Sequence, residues 1–131
     1  EHIRELLEVI GVERIDHGTN IVDDPDLVAY AANHHIGFTT CPLSNTFVRP
    51  EMKGPEVLEL LDKGVKISAH SDDPAYFGGY ISDNYYALAD AFNLTKEQVV
   101  MLARNSFETS WISKEQKAIY IAELEEYART H

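Results

Sequence analysis

Three short apolar runs recur along the first half of the chain, each separated from the next by a helical pattern and each ending on polar residues. Val12 to Ile15 leads into Asp16-His17-Gly18. Ile36 to Cys41 leads into Pro42 and the polar pair Ser44-Asn45, and Val65 to Ala69 into His70-Ser71-Asp72-Asp73-Pro74. Strands that alternate with helices pair in parallel through right-handed crossovers, which leaves few folds open to such a chain. In parallel α/β folds the loops leaving the carboxyl ends of the strands gather on one face, where chemistry is built. Three successive strands here deliver ionisable or hydrogen-bonding side chains to that one edge.

The intervening segments carry helix signals. Ile3, Leu6, Leu7 and Ile10 mark one face of a helix over Glu1 to Ile10, with Gly11 placed as its C-cap. Asp23-Asp24-Pro25 reads as a capped start with Pro in the first turn, the helix continuing from Leu27 to His34. The stretch after Cys41 reads as a loop with turn chemistry at Arg49-Pro50 and Gly54-Pro55. Pro55 opens another helix, with Val57, Leu58, Leu60 and Leu61 inward and Gly64 closing it. Beyond Gly78-Gly79 the pattern becomes helical throughout: Ser82 to Phe92, Thr95 to Asn105 with Thr95 as cap, and Ser113 to Tyr127.

Composition narrows the function classes. The 131 residues fall within the size of one domain, and 44% hydrophobic with 25% charged residues is ordinary for a globular protein. A net charge of -11, without a basic stripe, disfavours nucleic acid as a partner. Cys41 is the single cysteine, so no internal disulfide forms. No apolar run approaches a membrane span and no signal segment is visible, which makes a cytoplasmic location the default expectation. The chain opens at Glu1-His2-Ile3 inside a helical pattern, without an initiator Met, so residue 1 is not expected to be a natural beginning.

Among the polar residues, Asp72-Asp73 is the strongest local signal. Two adjacent carboxylates raise each other's pKa unless a cation or donor compensates, and a bound metal removes that penalty. Neighbouring residues leaving a strand point in different directions, so one can face a metal while the other reaches a substrate. A plain turn before Pro74 is the alternative, since Asp23-Asp24-Pro25 repeats the pattern at a helix start. His17 is a candidate acid/base or metal-orienting group, with Gly18 allowing close approach of a ligand, or else a buried histidine satisfied by backbone. His34 and His35 suit a helix C-terminus, His2 and His131 the surface, and His70 is unassigned. Cys41 reads as packing. Tyr76, Phe77, Tyr80, Tyr85 and Tyr86 form either core or the wall of a flat aromatic-ring pocket.

Taken in order and spacing, Arg14-Ile15-Asp16-His17-Gly18, Cys41-Pro42-Leu43-Ser44-Asn45 and Ser71-Asp72-Asp73-Pro74 resemble the last three strand-end motifs of the adenosine/adenine deaminase family. The resemblance covers essentially the whole chain, and the run from Ser71 to Tyr80 is similar to the adenine deaminase branch. It implies the C-terminal part, about strands six to eight plus the terminal helices, of a (β/α)8 TIM barrel, with residues 1–131 as one portion of a single deaminase domain. It implies one catalytic zinc, with Asp72 as a ligand, Asp73 hydrogen-bonding the purine ring, and His17 orienting and helping to deprotonate the attacking water. The implied reaction is hydrolytic deamination of adenine to hypoxanthine and ammonia, as in purine salvage. Adenosine or a modified adenine is the alternative small-molecule substrate.

The family's His-x-His, its third zinc histidine and its proton-donating glutamate have no match here. The resemblance therefore implies a fragment, inactive alone, whose other ligands lie upstream. A non-catalytic scaffold or binding remnant of the fold is the reading from another class. Because three strands of a closed barrel leave two unpaired edges, the isolated chain is expected to be marginally stable or self-associating.

Overall fold

In the computed structural model, which describes residues 1–131, a three-stranded sheet carries the chain's polar strand ends. β1 is Arg14–Ile15, β2 Gly37–Thr40 and β3 Lys66–Ala69, in the spatial order β1-β2-β3. Both pairs are parallel, with Ile15 beside Phe38 and Phe38 beside Ile67. β2 is buried from end to end, as expected of a central parallel strand covered on both faces, and Phe38 is fully enclosed.

The helices form where the sequence supplies their starts. α1 (His2–Glu5) runs on through a wider turn to Ile10 and closes on Gly11 in the left-handed region, as its capping role requires. A 3-10 segment, Gly18–Asp23, follows β1 and hands over to α2 (Pro25–Asn33), where the Asp24 carboxylate accepts from the Leu27 N–H at 3.2 Å. α3 (Pro42–Val48) occupies much of the segment expected to be loop, and α4 (Gly54–Asp62) follows it. After β3 come α5 (Pro74–Phe77), α6 (Ile81–Phe92), α7 (Lys96–Glu108) and α8 (Lys114–Thr130). Thr95 caps α7 as expected, through a reciprocal pair with Gln98. α7 runs past the expected end at Asn105, where Glu108 is held by Arg104 at 2.8 Å and by Lys66 of β3 at 2.6 Å.

The core lies between the sheet and its helices. Leu7, Leu27, Val28, Leu60, Leu88 and Leu102 pack against Phe38 and Ile67 in one continuous buried cluster. α7 lies along β3, and Asn105, itself buried, donates from Nδ2 to the Ile67 carbonyl at 2.8 Å. That bond has a clear purpose. The His70 N–H bonds to Thr40 O, so the alternate residue Ile67 turns its backbone groups away from β2 and toward the open side of β3. Asn105 satisfies there a carbonyl that neither of the other two strands meets. We predict that Asn105→Ala lowers the unfolding free energy by about 1–3 kcal/mol, the cost of a buried acceptor left without a donor. Urea denaturation of the two proteins reads the difference. A change within error of zero would mean that water reaches Ile67.

Candidate active site

The parallel register brings the three strand ends level. His17 leaves β1, Cys41 leaves β2 and Asp72 leaves β3, and one ligand-type atom from each lies within 4.8 Å of the others. His17 Nε2 is 3.6 Å from Asp72 Oδ2 and 3.9 Å from the Cys41 sulfur. The Ser44 hydroxyl, in the first turn of α3, donates to Asp72 Oδ2 at 2.7 Å. Three successive loops thus meet around one carboxylate oxygen.

Backbone conformation is part of this convergence. His17 and Asp72 both adopt positive φ, 56° and 57°, a left-handed geometry that costs of order 1–3 kcal/mol where nothing compensates. At His17 the compensation comes from β2. The His17 N–H donates to Thr39 Oγ1 at 3.2 Å, and the Thr39 hydroxyl donates in turn to Asp16 Oδ1 at 3.1 Å. Arg14 approaches the same Asp16 oxygen at 3.2 Å. Asp16 therefore holds the loop from behind and leaves the imidazole free to face Asp72.

The residues singled out from the sequence divide into groups. His17 and Asp72 come together. Asp73 sits at the start of α5, exposed, its carboxylate making no cap bond to that helix. His70 turns back toward the sheet, its Nε2 2.8 Å from the Ser68 hydroxyl, and burial holds the imidazole below its ordinary pKa. His34 Nδ1 donates to Tyr30 O, 2.8 Å away, at the end of α2, and His2 and His131 are exposed. Gly18 makes room for core rather than for a ligand: a Cβ there would lie 2.5 Å from the Phe38 ring.

The aromatic residues also separate. Tyr85 packs against the core, its phenol pushed up to about 12 by burial, while Tyr76, Tyr80 and Tyr86 are exposed. Phe47 of α3 meets Phe77 edge-on at 5.1 Å between ring centres, and Tyr76 meets Phe77 the same way at 4.9 Å. On the other flank, His17 borders a polar cavity of about 340 Å³ shared with Thr19, Asn20, Asn45 and Arg49.

Cys41 does more than pack. Sequence reasoning left out its place in the cluster, as it did the supporting bonds of Thr39 and Ser44. Aligning the strand ends in register would have found them, because Ile15 beside Phe38 sets Thr39 next to Asp16. Burial, with Asp72 and Asp16 adding to it, pushes the Cys41 thiol up to about 11. A neutral thiol is a poor nucleophile and a poor metal ligand at pH 7.

Imidazole, carboxylate and sulfur are all zinc-type ligands, but a closed site takes four, and this cluster offers at most three, the thiol only with loss of its proton to the metal. The residues suit zinc in kind and supply part of its shell.

Fold and cluster together define an α/β domain with its candidate chemistry at the carboxyl ends of parallel strands. The chain belongs to the adenosine deaminase family, whose profile matches residues 1–127. An uncharacterized deaminase of Schizosaccharomyces pombe is 47% identical over 131 residues, covering 99% of this chain and 39% of the relative. An adenine deaminase of Hahella chejuensis is 43% identical, covering 100% and 40%. The crystal structure of adenine deaminase from Arthrobacter aurescens superimposes with a TM-score of 0.89 at 37% identity, covering 98% of this chain and 40% of that one. An amidohydrolase of Burkholderia ambifaria with bound zinc shares the fold, with a TM-score of 0.87 at 24% identity over 98% of this chain and 36% of that one. The chain thus spans about two-fifths of the length of the relatives it matches.

Cys41 offers a direct check on the site's electrostatics. Its alkylation by iodoacetamide should stay slow up to about pH 9, where an ordinary thiol already reacts, and should rise toward pH 11. Asp72→Asn removes one of the charges that oppose the thiolate and should shift the reactivity profile to lower pH, with burial keeping it above the ordinary value. A profile unmoved by Asp72→Asn would mean that the two side chains do not face each other.

Proposed function

We propose that this protein catalyses the hydrolytic deamination of adenine to hypoxanthine and ammonia, and that residues 1–131 form the C-terminal portion of a single deaminase domain. In this reading β1, β2 and β3 are strands six to eight of a (β/α)8 barrel. The observation that carries it is the meeting of His17, Ser44 and Asp72 at the carboxyl ends of adjacent parallel strands, with His17 Nε2 3.6 Å from Asp72 Oδ2. The adenine deaminases among the relatives, at 43% and 37% identity, support adenine as the substrate.

Asp72 would hold a zinc ion whose remaining ligands come from outside these residues. When bound, the metal supplies Lewis acidity toward water. The chain's own residues supply the rest. Ser44 occupies one oxygen of Asp72 with a hydrogen bond and so restrains the carboxylate's rotation. His17 Nε2 lies within reach of a water beside Asp72, orients it and accepts its proton as it attacks the ring carbon that bears the amine. Asp73, one residue on and exposed, hydrogen-bonds the purine ring and sets its distance from that water. Cys41 lies buried beside His17 and Asp72, where burial pushes its thiol up and makes it a weak nucleophile.

Ammonia release from adenine and from adenosine, measured side by side on the natural protein, tests this reading together with zinc content by elemental analysis. Adenine should be turned over far faster, with one zinc per chain. Asp72→Ala should abolish the metal and lower kcat/KM by about a thousandfold or more, the several kcal/mol that a metal's charge stabilisation supplies. A zinc-replete protein that releases no ammonia from either purine would overturn the assignment. Faster release from adenosine would move it to the nucleoside.

A further inference from the structure

The loops that carry Ser44 and Asp72 are tied together by a residue outside the cluster, Asn84. It lies in the first turn of α6, wholly buried, and all of its amide is used. Its Oδ1 accepts from the Leu43 N–H at 3.0 Å, across 41 residues of chain, and its Nδ2 donates to Tyr80 O at 2.9 Å and to Gly79 O at 3.4 Å. The first contact lies in the loop after β2, the other two in the loop after β3.

The Leu43 bond has a specific origin. α3 begins with Pro42, which has no N–H, and its N-cap residue Cys41 makes no side-chain cap bond. Leu43 then carries the first free donor of a helix end that has no cap of its own. Asn84 supplies the missing acceptor from another element. The Leu43 side chain packs onto Gly79 at the same point, for a Cβ on Gly79 would fall 2.3 Å from Leu43 Cδ1. Ser44 follows Leu43 directly, and its hydroxyl reaches Asp72 at 2.7 Å.

We propose that Asn84 is a positioning residue of the active site, capping α3 from α6 and thereby fixing the distance between the Ser44 hydroxyl and the Asp72 carboxylate. The assignment rests on the reading of Asp72 as the functional carboxylate, but its structural core does not depend on turnover. Asn84 touches neither metal nor substrate. It acts through Leu43.

The test compares Asn84→Ala with Leu88→Ala, a truncation of a fully buried residue one turn further along α6. Both variants should lose stability. Amide exchange and side-chain NMR shifts, read in the full-length protein, report on the rest. Asn84→Ala should speed exchange at Leu43 by about tenfold beyond the change in global stability, as expected for one lost hydrogen bond. It should also remove the Ser44–Asp72 signature in the serine hydroxyl and aspartate carboxylate resonances. Leu88→Ala should leave both local readouts in place.

Asn84→Asp keeps an acceptor for the Leu43 N–H but sets a carboxylate oxygen against Tyr80 O and Gly79 O, and should likewise lose the Ser44–Asp72 signature. An unchanged signature in Asn84→Ala, or equal loss in Leu88→Ala, would overturn the proposal. These readouts are taken without substrate, so an absence of deaminase activity would count against the proposed function and not against the clamp.

Discussion

β2 is enclosed on both faces and bonded along both edges, and its two ladders decide how far the neighbouring strands can slide. The Gly37 N–H is held by Glu13 O at 3.0 Å on one side, and the His70 N–H reaches Thr40 O at 2.9 Å on the other. A slip of one residue on either side would exchange inward for outward side chains and bury charge in place of Ile15 or Ile67. The hydrophobic core thus fixes the register, and the register fixes the active face. His17, Cys41 and Asp72 meet because each lies within three residues of the end of a strand that cannot shift. The strained backbones of His17 and Asp72 are stable only within that frame.

Much of this organisation was legible in the chain. Each strand is a short apolar run with polar residues at its carboxyl end, and parallel pairing follows from the helices between them. Asp24 and Thr95 cap the helices they were expected to cap. The short helices α3 and α5 were not legible, and the reason is physical. Pro42 and Pro74 sit at their first helical positions, but neither segment is long enough to build an apolar face, so each proline resembles the end of a strand. The membership of Cys41 escaped for a different reason. A buried cysteine at a strand end has the same composition signal whether it packs or faces a carboxylate, and only register separates the two.

Gly18 shows how a local rule can name the right residue for the wrong cause. A glycine beside a candidate catalytic histidine invites the explanation that a ligand approaches it. The space left by its missing side chain is filled by the ring of Phe38, the most enclosed large residue of the sheet. Core packing therefore reaches to the residue next to His17. The site has no soft layer between its imidazole and the interior, and the direction of His17 is set by the same contacts that stabilise the fold.

Two buried asparagines make the same point at the level of the backbone. A side-chain amide has the donor and acceptor of a peptide group, and it can stand in for one where chain geometry leaves a gap. Asn105 meets the Ile67 carbonyl on the open side of β3 and keeps an Oδ1 that finds no partner in the protein. Asn84 meets Leu43, Gly79 and Tyr80 and uses its amide completely. The difference follows their places in the fold. Asn105 patches a single strand edge, where one bond suffices to hold the helix against the sheet. Asn84 joins two loops that must stay in register for Ser44 to reach Asp72, and fixing two loops against each other needs bonds to both. A buried amide bonded through both its donor and its acceptor rigidifies what it connects, and Asn84 stands in this way behind the segments that carry Ser44 and Asp72.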